Sequence, residues 1–173
     1  MKVICITGTP GTGKTSLSKE LSKRPNYLYL DANKIISKYN LTEGYDRKRK
    51  TKIIDVKKLN KKIIDEISSM KNHPLKHRNL KNKKIKGITI DSHLSHYLPR
   101  KYVDFCIVTK CGISELARRL KAKKFHKSKI LENLQAEIFD ICRNEAAERK
   151  HKIITVDTTK GFNINEVIRK TGG

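Results

Sequence analysis

Gly8-Thr9-Pro10-Gly11-Thr12-Gly13-Lys14-Thr15 carries the clearest chemistry in this 173-residue chain. Its spacing, G-x-x-x-x-G-K-[ST], is that of a loop that wraps phosphate. Such a loop must turn several backbone N–H groups inward, and glycine allows both the conformation and the close approach. The lysine then reaches the β- and γ-phosphates of a nucleotide, and the hydroxyl after it is an oxygen ligand for Mg²⁺. Lys14 and Thr15 are the residues placed for those two tasks.

A phosphate loop works only between a buried strand and a helix whose unpaired N–H groups face the anion. Val3-Ile4-Cys5-Ile6 is an apolar run of strand type that ends at the loop. Ser16-Leu17-Ser18-Lys19-Glu20-Leu21 sets leucines four apart, as a helix with one buried face does. Beyond it the pattern predicts a strand at 27–30, a helix at 32–39 capped by Asp31, and a polar, turn-rich stretch at 40–54. A helix at 56–70 follows, with Asp55 at its start and Leu59, Ile63, Ile64 and Ile67 on one face. Strands at 87–91, 103–109 and 153–157 alternate with helices at 113–123, 128–149 and 165–170. The longest of these, 128–149, puts Ile130, Leu131, Leu134, Ile138, Ile141 and Cys142 on its apolar face. This alternation predicts a single α/β domain built on a parallel sheet.

In such a sheet, ligands meet the carboxyl ends of the strands, so a carboxylate ending a strand faces the phosphate loop. Asp91 is that residue: it either holds Mg²⁺, directly or through water, or caps the turn that follows. His93, two residues on, is close enough to orient a water or a phosphate.

Forty Lys+Arg against seventeen Asp+Glu give a net charge of +23. Sixteen basic and three acidic residues lie between Arg47 and Lys86, so more than half of the excess sits there. Such a field favours polyanions, RNA above all, or else reflects a surface generally rich in lysine. The segment 71–86 holds Pro74 and no periodicity, and reads as an exposed basic loop. No stretch approaches the roughly 20 apolar residues of a membrane span. The first strand begins at once, so no signal peptide is expected. Four cysteines show no C-x-x-C pair, and Cys5 and Cys106 fall in strand segments, as buried reduced thiols do. The expected location is cytoplasmic.

The phosphate loop, the Asp91-x-His93 motif, Gly44-Tyr45-Asp46 and Asn133-x-Gln135-x-Glu137-Ile138-Phe139 together resemble one family. It is the atypical adenylate kinases of archaea and the eukaryotic nucleus, which also serve as small-ribosomal-subunit assembly ATPases. The resemblance runs nearly end to end. It implies a P-loop NTPase fold of nucleoside-monophosphate-kinase type, with a five-stranded parallel sheet flanked by helices. It also implies a monophosphate-binding region at 31–70 and a short lid at 121–129.

Carried over, the resemblance gives Gly11, Gly13, Lys14, Thr15 and Ser16 to the ATP phosphates and Mg²⁺, and Asp91 to the metal as well. It gives His93 to positioning the attacking group, and Arg119 to neutralising the moving phosphoryl group from the lid side. The implied reaction is ATP + AMP to 2 ADP, with ATPase activity used in ribosomal RNA maturation. The implied partners are ribosomal RNA and a small-subunit platform ribosomal protein. Two alternatives stay open: an RNA-associated assembly ATPase with little kinase activity, and a P-loop kinase of another small acceptor. The chain departs from the family pattern at the lid, where Lys123-Lys124-Phe125 stands in place of Arg-Gly-Tyr. A lysine supplies charge without the bidentate fork of arginine. On the acceptor side, the position expected to be basic falls near Ser37, between Lys34 and Lys38.

Overall fold

A computed structural model describes residues 1–47, 51–72 and 85–172. Most of the basic segment read at 71–86 lies outside the described residues.

The apolar runs become the centre of a five-stranded parallel sheet. Its strands are β1 (Lys2–Thr7), β2 (Tyr27–Asp31), β5 (Gly87–Asp91), β6 (Phe105–Lys110) and β7 (Ile153–Asp157), in the order β2-β5-β1-β6-β7. A parallel sheet is covered on both faces, so its central strands are apolar at every position rather than alternating. β1 shows this, with Ile4, Cys5 and Ile6 each 0% exposed. Ile4 and Ile6 pack with Leu17 and Leu21 of α1 (Lys14–Ser22) and Val167 of α7 (Ile164–Lys170) on one face. Val3 and Cys5 pack on the other with Leu59, Ile63 and Ile67 of α3 (Val56–Asn72), where α2 (Ala32–Lys38) also lies. Burying each such side chain contributes about 1.5–3 kcal/mol, which fixes α1 against the sheet and so aims its amino end. Asp31 and Asn163 cap α2 and α7 by accepting hydrogen bonds from Asn33 N and Asn165 N. Asp55 accepts from Lys58 N at the start of α3.

Three segments differ from the pattern reading. The stretch 40–54 is not merely turn: β3 (Thr42–Asp46) pairs antiparallel with β4 (Thr51–Ile54). No residue of this two-stranded ribbon is fully buried, so it needs no alternating apolar signal, and Tyr45 and Ile53 are 57% and 49% exposed. The strand expected at 103–109 runs instead from Phe105 to Lys110, after a short 3₁₀ turn at Arg100–Tyr102.

The helix expected at 128–149 is two helices, α5 (Lys127–Ile138) and α6 (Ile141–Glu148), which follow α4 (Ile113–Ala122). Asp140 between them has φ 55°, and Lys110 Nζ donates to Glu137 O at 2.9 Å and to Asp140 Oδ1 at 2.5 Å. The amine joins the Asp140 N–H on the Glu137 carbonyl near the end of α5, and the chain turns there. The apolar face read across this break is accordingly split. Ile130 and Leu134 pack inward, while Leu131 and Ile138 are 53% and 59% exposed.

Candidate active site

The phosphate loop leaves the carboxyl end of β1 and enters α1. Gly8, Gly11 and Gly13 carry it through φ values of 137°, 96° and 87°, where L side chains are strained. At Gly8 a Cβ would lie 2.5 Å from the Thr109 carbonyl oxygen, so no larger residue fits. The loop is braced from below by side chains remote in sequence. Thr12 Oγ1 donates to Thr9 O at 2.8 Å and lies 2.6 Å from Thr109 Oγ1. Thr158 Oγ1, just past β7, donates to Thr12 O at 2.8 Å. Glu137 of α5, buried, accepts from Thr9 Oγ1 at 2.6 Å and from Cys111 N at 2.9 Å.

Lys14 Nζ donates to Gly8 O at 2.8 Å and Thr9 O at 2.9 Å, so its ammonium lies across the loop it would share with a phosphate. Burial pulls its pKa down to about 8, with Cys142 and Asp91 working against that shift. An anion in the loop raises it again. Thr15 and Ser16 stand exposed on the first turn of α1. Gly11, Gly13, Lys14, Thr15, Ser16 and Arg119 all line one cleft of about 650 Å³. Arg118 and Lys123 add to its positive charge, and no carboxylate is among its lining residues. Phe125 and Phe162 supply apolar surface away from the loop.

Arg119 stands on α4, two residues before the segment 121–129, and its fork is engaged by protein. Nε donates to Glu115 Oε1 at 2.7 Å, and Nη2 donates to Thr158 O at 2.7 Å. A contact to a phosphoryl group requires that arrangement to open. The pairing of Arg118 and Arg119 with Glu115 holds that carboxylate at a pKa of about 2.

Asp91 and His93 lie outside the cleft lining. β5 pairs with β1 so that Asp91 stands opposite Ile6, at the strand end from which the loop departs. Tyr29 OH donates to Asp91 Oδ2 at 2.9 Å, and burial with this contact pushes the phenol pKa up. The sequence offered no signal for that tyrosine. His93 has its pKa pulled down to about 4, by burial first and then by the positive charges of Lys14 and, more weakly, Lys129. Its surface is open to solvent, which weakens the part due to burial, but the cations act in the same direction and the imidazole is neutral at pH 7. In the region 31–70, Lys38 is occupied by Glu66 of α3 at 3.0 Å and lies over the Tyr39 ring, while Lys34 is exposed.

His96 and His151 are also depressed, chiefly by burial. An unfolded chain protonates these imidazoles near pH 6.5, whereas the folded chain does so at lower pH. Between those values the unfolded state holds more protons, so acid favours unfolding. Tm is expected to fall by about 5 °C or more from pH 7 to pH 5, read by thermal melts in matched buffers. A flat Tm across that range contradicts buried neutral histidines.

The AAA domain family model matches residues 4–140, from β1 to the turn after α5. A Methanocaldococcus jannaschii protein that carries adenylate kinase as a provisional name is 37% identical over 156 residues, covering 90% of this chain and 76% of that protein. The chain belongs to the atypical adenylate kinase family. Another member, "Adenylate kinase isoenzyme 6 homolog FAP7" of Saccharomyces cerevisiae, is 33% identical over 155 residues, covering 89% of this chain and 71% of that one. The fold recurs in a solved deoxyadenosine kinase from M. mycoides with bound dATP, at TM-score 0.52 and 17% identity over the whole of both chains. The atypical adenylate kinase fold is thus a P-loop kinase fold, with the nucleotide-binding loop at its centre. Among the described residues, no helix is long and apolar enough to cross a membrane.

Proposed function

We propose that the chain is an ATP-dependent adenylate kinase, converting ATP + AMP to 2 ADP, and that the same site hydrolyses ATP during small-ribosomal-subunit maturation. The observation that carries this reading is the acid-free cationic cleft opening on the phosphate loop. The names of the relatives support it.

Mg²⁺ fits the donors present. It takes one or two protein oxygens and keeps several waters, and Thr15 and Asp91 offer such oxygens near the loop. Among the described residues there is no group of three His, Cys, Asp or Glu of the kind a protein-only metal cage needs. When bound, Mg²⁺ would neutralise charge on the nucleotide phosphates. Lys14 exchanges its two loop carbonyls for phosphate oxygens, and the amino end of α1 adds its N–H groups. His93, neutral, holds the attacking group through its ring, the N–H donating to a phosphate oxygen or the unprotonated nitrogen accepting from water. Lys123 and Phe125 of the link 123–126 between α4 and α5 line the cleft, and closure of that link on bound nucleotide would exclude water from the transfer.

The net charge of +23 favours a second reading, an RNA-associated assembly ATPase with little kinase activity. A coupled assay of ADP formation with and without AMP separates the two. The kinase reading expects AMP to raise the rate at least about tenfold, because the acceptor completes the positioning that water lacks. ADP formation that ignores AMP overturns it in favour of the assembly ATPase.

A further inference from the structure

The turn that carries His93 is held by side chains that the transfer scheme leaves unused. His96 is 1% exposed, with Nδ1 2.6 Å from Thr7 Oγ1 and Nε2 2.9 Å from Glu145 Oε2. A carboxylate only accepts, so Nε2 carries the proton and Nδ1 accepts from the Thr7 hydroxyl. Glu145 is itself oriented: Tyr97 OH donates to its Oε1 at 2.7 Å, and the Arg149 guanidinium lies 4.2 Å above the Tyr97 ring. Asn60 of α3 donates to Tyr97 O at 2.8 Å, which ties the acceptor-side helix to the same turn. Thr7 is the last residue of β1, and its hydroxyl also lies 3.3 Å from the His93 carbonyl oxygen. The imidazole therefore joins the point where the phosphate loop leaves the sheet to the turn bearing His93.

We propose that His96 and Glu145 are a positioning pair, setting the placement of the His93 turn relative to the phosphate loop through Thr7. The proposal rests on the kinase reading for its role in transfer. Glu145 orders the imidazole by fixing its tautomer, and the imidazole orders the threonine hydroxyl. Neither residue lines the nucleotide cleft, so the pair acts on geometry and not on nucleotide affinity. Transfer demands that reacting groups be held to a fraction of an ångström, and misplacement by about 1 Å lowers rates about a hundredfold.

The test is a double-mutant cycle with Thr7→Val and His96→Leu, each isolating one end of the same bond. Each single variant is expected to lower kcat about ten- to a hundredfold, with ATP Kd by calorimetry moving less than about threefold. The double variant is expected to be no slower than the slower single one, because both remove one interaction. His96→Asn, whose side-chain oxygen stands near the place of Nδ1, is expected to recover most of kcat. Additive losses, an unchanged kcat with only a lower Tm, or a loss carried by Kd each overturn the proposal. The same cycle is run on ATP hydrolysis without AMP, since both reactions share the loop and His93. If the wild type is inactive in both assays, the kinase reading falls and the ring ¹⁵N spectrum decides the pair. A His93 resonance moved by Thr7→Val, with an Nε2–H tautomer at His96, supports it; an unmoved His93 resonance or an averaging His96 tautomer overturns it.

Discussion

Lys14→Ala is expected to lower phosphoryl transfer by at least about a hundred- to a thousandfold while leaving the fold intact. The first half follows from electrostatics: a cation that meets the developing charge on a transferred phosphoryl group, in a site shielded from water, is worth several kcal/mol of barrier. Nothing else lining the loop side of the cleft substitutes for it. Arg118 and Arg119 are paired with Glu115, and Lys123 belongs to the α4–α5 link. The second half follows from the amine's cost in the empty protein. A lysine whose pKa is pulled from 10.5 down to about 8 by burial favours the unfolded state whenever it is charged, because the unfolded chain holds that proton more tightly. That penalty is largest below pH 8 and fades as pH rises toward 10.5, and the alanine variant removes it. Tm of Lys14→Ala at pH 7 is therefore expected to equal or exceed that of the wild type, even though two hydrogen bonds to loop carbonyls are lost. A variant with wild-type turnover contradicts the phosphate role, and one that unfolds contradicts a buried amine that costs stability.

How much of this was legible in the sequence depended on whether the cause was local. The phosphate loop was legible because a backbone cradle for an anion needs glycine at set positions, and Gly8, Gly11 and Gly13 do take positive φ. The central strands were legible because burial on both faces leaves uninterrupted apolar runs. The β3–β4 ribbon and the break at Asp140 were not, since one lacks a buried face and the other is made by Lys110, thirty residues away in sequence. A helical period of apolar residues continues across that break unaware of it. Tyr29, His96 and Glu145 act through partners that only the fold brings near. In the sequence Glu137 is part of a family-like segment that gives it no task. Its task is to reach Thr9 across 128 residues of chain.

Glu137→Ala is accordingly expected to damage both stability and nucleotide binding. The carboxylate is 4% exposed and answers three donors: Thr9 Oγ1 at 2.6 Å, Cys111 N at 2.9 Å and Lys110 Nζ at 3.3 Å. Alanine leaves the Cys111 N–H buried without a partner and removes one of the two carboxylates beside Lys110. A buried N–H left unpaired and the loss of an ionised acceptor together cost about 2–4 kcal/mol, or roughly 10 °C in Tm for a chain of this size. The effect on binding comes through Thr9, whose carbonyl accepts from both Lys14 Nζ and Thr12 Oγ1. Freed from Glu137, Thr9 no longer holds that carbonyl in place, and the loop must be ordered at the expense of nucleotide affinity. Glu137→Gln separates shape from charge. The amide oxygen still accepts from Cys111 N–H, while Lys110 loses a counter-charge and keeps only Asp140. Its expected loss is intermediate, about 1–2 kcal/mol, with ATP affinity nearer the wild type. Thermal melts and calorimetry on the three proteins check the order wild type, Gln, Ala in both quantities. An alanine variant with unchanged Tm and unchanged ATP affinity would remove Glu137 from the site, leaving Thr109 and Thr158 as the braces of the loop.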